Sequence, residues 1–423
     1  MGAHQVKPDV TTRTLPKCVI SLACVLAIAL LAACATPSAQ PPGEAAGAAA
    51  ATSSDLPGDI SPSVTVEDPA ADERGVADRL DQLVPSLLEE HNVPGAAVSL
   101  VLDGKVAWSA GYGLADRALG VPVTADTVFQ VASVSKAVTA WGVMRLVERG
   151  LLNLDAPVER YLTRWHLPAS DYDASGVTIR RLLSHTAGLS VGGFPGYPPD
   201  QTLPSLEESL SGNNRGAGVV RIAMEPGAQW SYSGGGYILL QLIVEEVTGE
   251  TFSRYMQREV LEPLGMTHSS FEWRADLRPA TAIAYSSAGS PLPNYLFTEQ
   301  AAAGLYTTAP DLALLVAAAM PGTGGEPAGR GVLSPDTLTL MLTPAVQLSD
   351  QGEAWGLGYI LLALTDGSVR IGHGGSNAGW QAFSAAVPDW GEGLVVLTNS
   401  ENGTSVIEDV LSAVVDQLGH GTP

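Results

Sequence analysis

A serine and a lysine three positions apart are the residues of this chain best suited to chemistry. Ser133-Val134-Ser135-Lys136 opens an apolar stretch with helical spacing, and side chains three apart on a helix share a face. A serine hydroxyl becomes a good nucleophile only when a neighbouring base takes its proton. Lysine can be that base because burial lowers its pKa, whereas arginine keeps its charge. The start of the predicted helix also favours negative charge developing on Ser133.

The use of basic residues supports this hypothesis. The chain has 22 basic residues, of which four are lysines and eighteen are arginines. Only Lys105 and Lys136 lie beyond the N-terminal segment, and Lys105 falls at a predicted exposed hairpin turn. Because Ser-x-x-Lys is a short pattern, the plain alternative is a helix start with a surface lysine. Because the chain otherwise uses arginine for positive charge, a lysine one helical turn after a serine favours the catalytic interpretation.

Tyr232-Ser233-Gly234 is a second candidate group, placed just before an apolar helix. A phenol beside a lysine ammonium can be held as a phenolate. It would then act as the base for the serine and later as the acid for the leaving group. A tyrosine-serine pair is also what a simple helix cap looks like. Tyr232 therefore gains its meaning only together with Ser133 and Lys136.

His373-Gly374-Gly375-Ser376 lies on a predicted late strand. Two glycines there let a substrate backbone approach the strand edge. The amide of Ser376, with that of Ser133, could form an oxyanion hole. His373 could orient a substrate carboxylate by a hydrogen bond, or by charge when protonated. The alternative is a glycine-rich strand bend with a surface histidine.

Strand patterns at both ends of the chain enclose a helix-rich middle. Helices are predicted at 72–90, 133–149, 237–247, 252–261 and 405–418, and strands at 95–102, 106–113, 356–362, 369–372, 380–387 and 393–398. Asp103-Gly104 between the first two strands is a hairpin signal. This order predicts an α+β fold, in which both termini build one antiparallel sheet flanked by helices and the helical middle is an insertion region.

Composition argues against several classes of protein. A net charge of -22 leaves no basic stripe for nucleic acid. The cysteines are Cys18, Cys24 and Cys34, so disulfides, thiol nucleophiles and cysteine-based zinc sites are not expected in the body of the chain. The histidines form no HExxH motif, and no glycine-rich phosphate loop follows a strand. We therefore expect no metal and no other cofactor.

The first residues are typical of a targeting segment. Residues 1–33 resemble a lipoprotein signal peptide, because basic residues precede an apolar run that ends in Leu31-Ala32-Ala33-Cys34. This ending looks like the bacterial lipobox, which predicts lipidation of Cys34 and a location in the bacterial cell envelope, outside the cytoplasm, with a lipid anchor as the only membrane attachment. An ordinary signal peptide with an incidental cysteine is the alternative. Residues 34–71 are predicted to be a disordered Ala/Pro/Gly linker, and residues 72–420 the folded hydrolase domain.

Together the three motifs resemble the SxxK, Tyr-x-Asn and Lys-Thr-Gly triplet of the serine β-lactamase and penicillin-binding superfamily. Their order and spacing are most similar to the branch of class C β-lactamases, D-Ala-D-Ala carboxypeptidases, D-aminopeptidases and family VIII carboxylesterases. The resemblance covers about residues 75 to 420 and extends to the segments 128–132, 182–189 and 302–306. It implies the fold described above and an acyl-enzyme on Ser133, with Lys136 and Tyr232 as activating groups.

Two departures from the family pattern bear on the substrate. Gly234 replaces the asparagine that helps to hold the amide of the substrate in this family. His373 replaces the lysine that meets the β-lactam carboxylate, as in some peptidase and esterase relatives. Losing an amide contact costs on the order of 1 kcal/mol for amide-bearing substrates. We therefore rank a small-molecule ester first, a D-amino acid peptide second and a β-lactam third.

Other interpretations compete with this hypothesis. Gly188-Leu189-Ser190-Val191-Gly192 matches the GxSxG elbow of α/β-hydrolases, but no buried strand precedes it and no helix follows it. A penicillin or peptidoglycan sensor that is acylated once, or an inert scaffold, would share the fold without turnover. His185 is interpreted as a buried structural histidine, and Trp380 as part of the wall of the site. The sequence leaves the oligomeric state open.

Overall fold

The computed structural model describes residues 71–418. The predicted signal peptide, the lipidation site Cys34 and nearly all of the predicted linker lie outside these residues, so those assignments remain predictions. Among the helices of residues 71–418, none combines the length and the apolar character needed to cross a membrane.

Strands at both ends of the described chain form one large antiparallel sheet. The strands are β1 Gly95–Leu102, β2 Lys105–Asp116, β3 Val121–Pro122, β4 Phe129–Gln130, β5 Ala284–Tyr285, β6 Pro291–Leu292, β7 Tyr306–Thr307, β8 Val346–Gln347, β9 Glu353–Trp355, β10 Ile360–Ala363, β11 Val369–Asn377, β12 Trp380–Val387 and β13 Glu392–Thr398. Within the described residues the large sheet has nine strands in the order β3-β2-β1-β13-β12-β11-β10-β9-β8. The N-terminal hairpin thus joins the C-terminal strands through β1 and β13.

Helices lie on both faces of this sheet and make up most of the middle of the chain. The α-helices of the described part are α1 Ala71–Glu90, α2 Ser135–Glu148, α3 Ile179–Leu183, α4 Leu206–Leu210, α5 Gly234–Thr248, α6 Phe252–Met256, α7 Gln300–Ala303, α8 Ala309–Ala318, α9 Pro335–Met341 and α10 Gly403–Gln417. The predicted α+β class, with a sheet built from both termini and a helical insertion, is confirmed.

Side chains of the central strands alternate between two apolar cores, as the two-residue period of a strand requires. On β1, Val98 and Leu100 pack with the terminal helices α1 and α10. Ala97 and Val101 face the larger core, which contains α2, α5 and α8. Because the sheet is covered on both faces, β1 is buried along nearly its whole length. The result is a rigid support for the segments between sheet and helices.

The predicted boundaries differ from the structure where regular geometry gives way. The helix predicted from residue 133 begins with a 3₁₀ turn at Ala132–Val134, and the α-helix starts at Ser135. The late strand predicted at 369–372 continues to Asn377 and so includes the whole His-Gly-Gly-Ser motif. Of the strand predicted at 356–362, only residues 360–362 are strand, in β10, because residues 356–359 form the turn between β9 and β10. Turns of this kind depend on contacts with neighbouring segments. The spacing of apolar residues in the sequence carries no information about those contacts.

Candidate active site

Ser133 lies on a strained turn that two distant segments hold in place. The preceding Ala132 has a φ of 47°, which an L-residue adopts only when its surroundings enforce it. The short ribbon of β4 and β7 leads into this turn, and the amide of Val131 donates to the carbonyl of Leu305 at 3.1 Å. The Leu305 amide in turn donates to the Ser135 hydroxyl at 3.0 Å. These contacts explain why segments 128–132 and 302–306 accompany the serine.

Lys136 reaches Ser133 from a fully buried position, as the three-residue spacing predicts. Only 2% of Lys136 is exposed, whereas Ser133 is partly open to solvent. The Lys136 Nζ lies 3.1 Å from the Ser133 Oγ and donates to the carbonyl of Ala302 at 2.7 Å. Burial lowers the pKa of Lys136 to about 7. A neutral amine, which can accept the serine proton, is therefore well populated near neutral pH.

Tyr232 completes the group from the segment before α5. Its phenol is hydrogen-bonded to Ser133, and the Lys136 Nζ lies 4.9 Å from the centre of its ring. Burial raises the pKa of the Tyr232 phenol well above its usual value, and the bond to Ser133 offsets only part of this rise. The expected phenolate is therefore not favoured in the free protein, because desolvation of the phenol outweighs its hydrogen bond to Ser133. Lys136 is the better resting base.

The alternative interpretation of the Tyr232-Ser233 pair, a helix cap, is also correct, and the capping residue is Ser233. Ser233 is the N-cap of α5, and its Oγ accepts from the Gly236 amide at 3.0 Å. The cap fixes the first turn of a 15-residue helix directly beside Tyr232. One local structure thus ends the loop and orients the phenol.

The His-Gly-Gly-Ser motif brings the edge of β11 against the nucleophile. Strand β10 pairs with β11 only as far as Gly372, so residues 373–377 are paired with β12 alone. A Cβ on Gly375 would lie 2.2 Å from the carbonyl oxygen of Val131 and 3.0 Å from the amide of Ser133. Only glycine allows this close approach. Ser376, the next residue, is partly exposed at the same edge.

His373 is buried and neutral, which contradicts the alternative of a surface histidine, and its role towards a substrate stays a prediction. It is 1% exposed, and burial together with the nearby Lys136 lowers its pKa to about 3. Its Nδ1 lies 2.5 Å from the carbonyl of Gly374. Since a carbonyl only accepts, Nδ1 carries the hydrogen and Nε2 is left as an acceptor. That Nε2 has no hydrogen-bond partner among the described residues.

Aromatic rings surround Tyr232, and the sequence did not predict this cluster. The His185 ring lies 4.3 Å from the Tyr232 ring, and Trp230 and Trp355 lie 6.3 Å and 5.8 Å from it. His185 is buried, as predicted, and its Nδ1 accepts from the Ser233 amide at 3.1 Å. Its place beside Tyr232 was not expected, because the two residues are far apart in the chain. The Leu-Ser-His-Thr segment was the available signal.

Trp380 does not line the site among the described residues. It is fully buried and packs edge-on against Phe129, with ring centres 5.9 Å apart. The prediction of a wall position was wrong because the Trp380 side chain is buried in the larger core. The tryptophans that lie beside Tyr232 are Trp230 and Trp355.

Ser190, in the GxSxG match, is engaged in structural hydrogen bonds. Its Oγ donates to the carbonyl of Val219 at 2.8 Å and accepts from the Arg221 amide at 3.0 Å. No helix follows it, since residues 191–196 are irregular. A nucleophile elbow requires a strand-to-helix turn, so the motif is coincidental as chemistry. In residues 71–418, no three His, Cys, Asp or Glu side chains are placed to hold a metal ion.

The antiparallel sheet flanked by helices, with a serine, a buried amine and a phenol meeting between them, defines a serine hydrolase of the penicillin-recognising class. A family model described as "Beta-lactamase" matches residues 80–415, and the chain belongs to this family.

Curated relatives carry names from more than one activity. Penicillin-binding protein 4 of Amycolatopsis lactamdurans is 31% identical over 79% of this chain and 88% of its own length. Esterase EstB of Burkholderia gladioli is 34% identical over 48% of this chain and 54% of its own. Protein flp of Staphylococcus aureus is 31% identical over 50% of this chain and 42% of its own. The match thus spans about half of the last two relatives.

Solved structures share the fold over most of the chain. The octameric penicillin-binding protein homologue of Pyrococcus abyssi has a TM-score of 0.68 and 26% identity, covering 81% of this chain and 77% of its own. A structure of SurE with D-Leu has a TM-score of 0.63 and 28% identity, covering 81% of this chain and 76% of its own. The predicted membership in this superfamily is confirmed.

Proposed function

We propose that this protein is an esterase-type serine hydrolase that forms an acyl-enzyme on Ser133. The observation that carries the proposal is the pair of residues that depart from the family pattern, Gly234 and His373. Position 234 bears no side chain, and position 373 bears a neutral histidine with an acceptor nitrogen. An acceptor nitrogen repels a carboxylate, and Gly234 offers no amide to a substrate. A simple ester needs neither contact.

In the proposed acylation the Ser133 Oγ attacks the ester carbonyl carbon while its proton passes to the neutral amine of Lys136. The developing oxyanion faces the amides of Ser133 and Ser376. Collapse of the tetrahedral intermediate breaks the bond to the leaving alkoxide. The alkoxide takes the proton from Lys136 by way of the Tyr232 hydroxyl, which donates one proton and accepts another.

Deacylation uses the same groups in reverse order. A water molecule attacks the acyl carbon of the enzyme ester, and its proton passes through Tyr232 and Lys136 to the departing Ser133 Oγ. The free acid leaves and the hydroxyl is restored. The neutral phenol of Tyr232 suits this relay, because a group that stays neutral can donate and accept in one step.

A D-amino acid peptide is the second candidate substrate. The neighbour SurE was solved with D-Leu, and the relative from Amycolatopsis is named a penicillin-binding protein. These names make a peptide-like ligand the candidate that follows a simple ester. A penicillin sensor would share the acylation step and lack the deacylation step.

The test compares rates on a short-chain p-nitrophenyl ester, a D-alanyl peptide and nitrocefin with the same enzyme preparation. We expect the ester to give the highest kcat/KM by at least about tenfold. A fluorophosphonate probe followed over time separates the remaining cases. A fluorescent penicillin that stays attached, with no turnover of any substrate, would indicate a sensor. Absence of labelling by both probes would indicate an inert scaffold.

Replacement of the two candidate serines identifies the nucleophile. Ser133→Ala should abolish ester hydrolysis and fluorophosphonate labelling. Ser190→Ala should leave both nearly intact, because the Ser190 hydroxyl is occupied by Val219 and Arg221. Labelled Ser190 in intact-protein and peptide mass spectra would overturn the assignment.

A further inference from the structure

Position 234 has no room for the side chain that the family pattern places there. A Cβ on Gly234 would lie 2.9 Å from the carbonyl oxygen of Gly192 and 3.1 Å from Cε2 of Phe194. The Gly234 amide donates to the same Gly192 carbonyl at 3.1 Å. A backbone atom cannot give way as a flexible side-chain tip can. The loop that contains Gly192 and Phe194 therefore occupies the space that an asparagine side chain at position 234 would need.

One end of this loop is fixed to the start of α5. The Gly235 amide donates to the carbonyl of Val191 at 2.9 Å, and the Ser233 Oγ donates to the carbonyl of Ser190 at 2.9 Å. Val191 has a φ of 69°, a conformation that a β-branched residue adopts only under strong constraint. The hydrogen bonds to Ser233 and Gly235, next to Tyr232, supply this constraint. They therefore fix the position of the loop.

The other end is fixed to the segment that leads to α7. Tyr197 and Leu296 exchange two backbone hydrogen bonds of 2.7 Å each. A Cβ on Gly196 would lie 2.8 Å from the Phe297 ring, so the chain packs tightly there. Segment 191–197, which we name the acyl wall, is thus held at both ends. Phe194 lies between them and is partly exposed.

We propose that the acyl wall is the subsite for the acyl group of the substrate, that Phe194 makes it selective for apolar alkyl acyl chains, and that it disfavours acylamido groups. The inference rests on the esterase function proposed above and adds the class of acyl group to it. A phenyl ring gains from burying methylene groups. The same ring offers no partner to an amide, which would lose its water without compensation.

Two p-nitrophenyl esters of equal chain length test this preference. The pentanoyl ester and the N-acetylglycyl ester place four non-hydrogen chain atoms beyond the carbonyl in the direction of the wall, and they differ in the amide. The acetyl ester reports the Ser133 machinery with almost no acyl chain. We expect the wild-type kcat/KM for pentanoyl to exceed that for N-acetylglycyl by about tenfold or more.

Variants of Phe194 then locate the cause. Phe194→Ala should lower the pentanoyl to N-acetylglycyl ratio about tenfold, mainly through KM for the pentanoyl ester, with the acetyl ester measured as the reference for each variant. Phe194→Asn, which places an amide at the partly exposed site, should lower the ratio further. Leu203→Ala is the matched control, since it removes an exposed apolar side chain outside the wall and should leave the ratio unchanged.

The outcomes separate this inference from the proposed function. If both Phe194 variants hydrolyse the acetyl ester normally and keep the wild-type ratio, the acyl wall proposal is wrong and the esterase proposal stands. If the wild type hydrolyses none of the three esters but is labelled on Ser133, the esterase proposal itself fails. If Phe194→Ala is unfolded, the Phe194→Asn ratio decides alone, and reversal of the preference in that variant supports the wall.

Discussion

At the scale of single residues, the main feature of the site is a lysine that is buried so that it can lose its charge. Lys136 has a pKa of about 7 because burial disfavours the ammonium. Its contacts are the Ser133 hydroxyl and a backbone carbonyl, neither of which carries a charge to hold the proton. Function and stability therefore make opposite demands on this side chain.

The first prediction concerns the pH dependence of catalysis. Since acylation needs neutral Lys136, kcat/KM for p-nitrophenyl acetate should rise about tenfold per pH unit below pH 7 and level off above it. His373 should not add a second transition near pH 6, because its pKa of about 3 keeps it neutral there. A profile that falls as pH rises through 7 would contradict the role of Lys136 as base.

The second prediction concerns stability. The folded pKa of Lys136 is about 7 and the ordinary value is 10.5, so between these values the unfolded chain holds the proton and the folded chain does not. Wild-type stability therefore rises with pH across this window, and the destabilisation is complete below pH 7. Lys136→Met should be inactive and more stable at pH 7, on the order of 2–4 kcal/mol after loss of the hydrogen bond to Ala302.

Urea unfolding of both proteins at several pH values measures this difference. The advantage of Lys136→Met should shrink as pH rises from 7 towards 10, because the wild type then no longer has to bury a charge. An advantage that is independent of pH would show that cavity filling, and not the charge, is responsible.

At the scale of elements, the site is a meeting of three chain segments that no single motif contains. The 3₁₀ turn supplies Ser133, the start of α5 supplies Tyr232, and the free edge of β11 closes against both. Backbone strain lies at Ala132, the first residue of the 3₁₀ turn, and at Val191, in the loop that is hydrogen-bonded to the start of α5. Such strain persists only when the surrounding packing enforces it, which indicates that the geometry is maintained for use.

The third prediction tests the contact between β11 and the Ser133 turn. Gly375→Ala places a Cβ 2.2 Å from the Val131 carbonyl and must push the strand away from the nucleophile. We expect the rate of fluorophosphonate labelling to fall by about a hundredfold and the free energy of unfolding by about 2 kcal/mol.

Gly236→Ala is the matched control for this variant. It adds the same methyl group at the first turn of α5, where the nearest atom would be 3.5 Å away. Alanine also favours a helix over glycine, by about 1 kcal/mol. Labelling should therefore stay within about threefold of wild type. Equal losses in both variants would mean that the site tolerates no added methyl group, and the β11 contact would lose its special role.

At the scale of the whole molecule, we propose that the protein acts at a membrane surface outside the cytoplasm, anchored through Cys34. The proposal rests on the apolar run and the Leu-Ala-Ala-Cys sequence. One lipidated cysteine, ahead of the predicted linker, would hold the domain near the bilayer without inserting it. Small esters or cell-wall fragments would reach Ser133 from solvent.

The fourth prediction follows from this proposal. In a bacterial host that processes lipoproteins, wild-type protein should enter the detergent phase on Triton X-114 partitioning, whereas Cys34→Ser should remain in the aqueous phase. Esterase activity per molecule should be the same in both, because the predicted linker separates Cys34 from the active-site domain. Wild-type protein found only in the aqueous phase would favour an ordinary signal peptide.

Features that depend on local geometry could be predicted from the residues alone. The spacing of Ser133 and Lys136 forces their side chains onto one helical face wherever that helix lies. Strand patterns at both ends of the chain, with an Asp-Gly hairpin signal near the start, predicted one sheet built from both termini. Two successive glycines at 374 and 375 predicted room for a substrate backbone at this strand edge, and that contact stays a prediction. The structure shows Gly375 packed closely against Val131 of the chain itself.

Features that depend on burial and on contacts between distant segments required the folded chain. The protonation of Lys136, Tyr232 and His373 follows from how much water each has lost, and a sequence does not state this. The approach of His185 to Tyr232, and of Phe194 to Gly234, follows from how loops pack on α5. The residue types in the sequence thus defined which chemistry is possible. The packing of segments that are distant in the chain determined the charge states of these residues and the shape of the site.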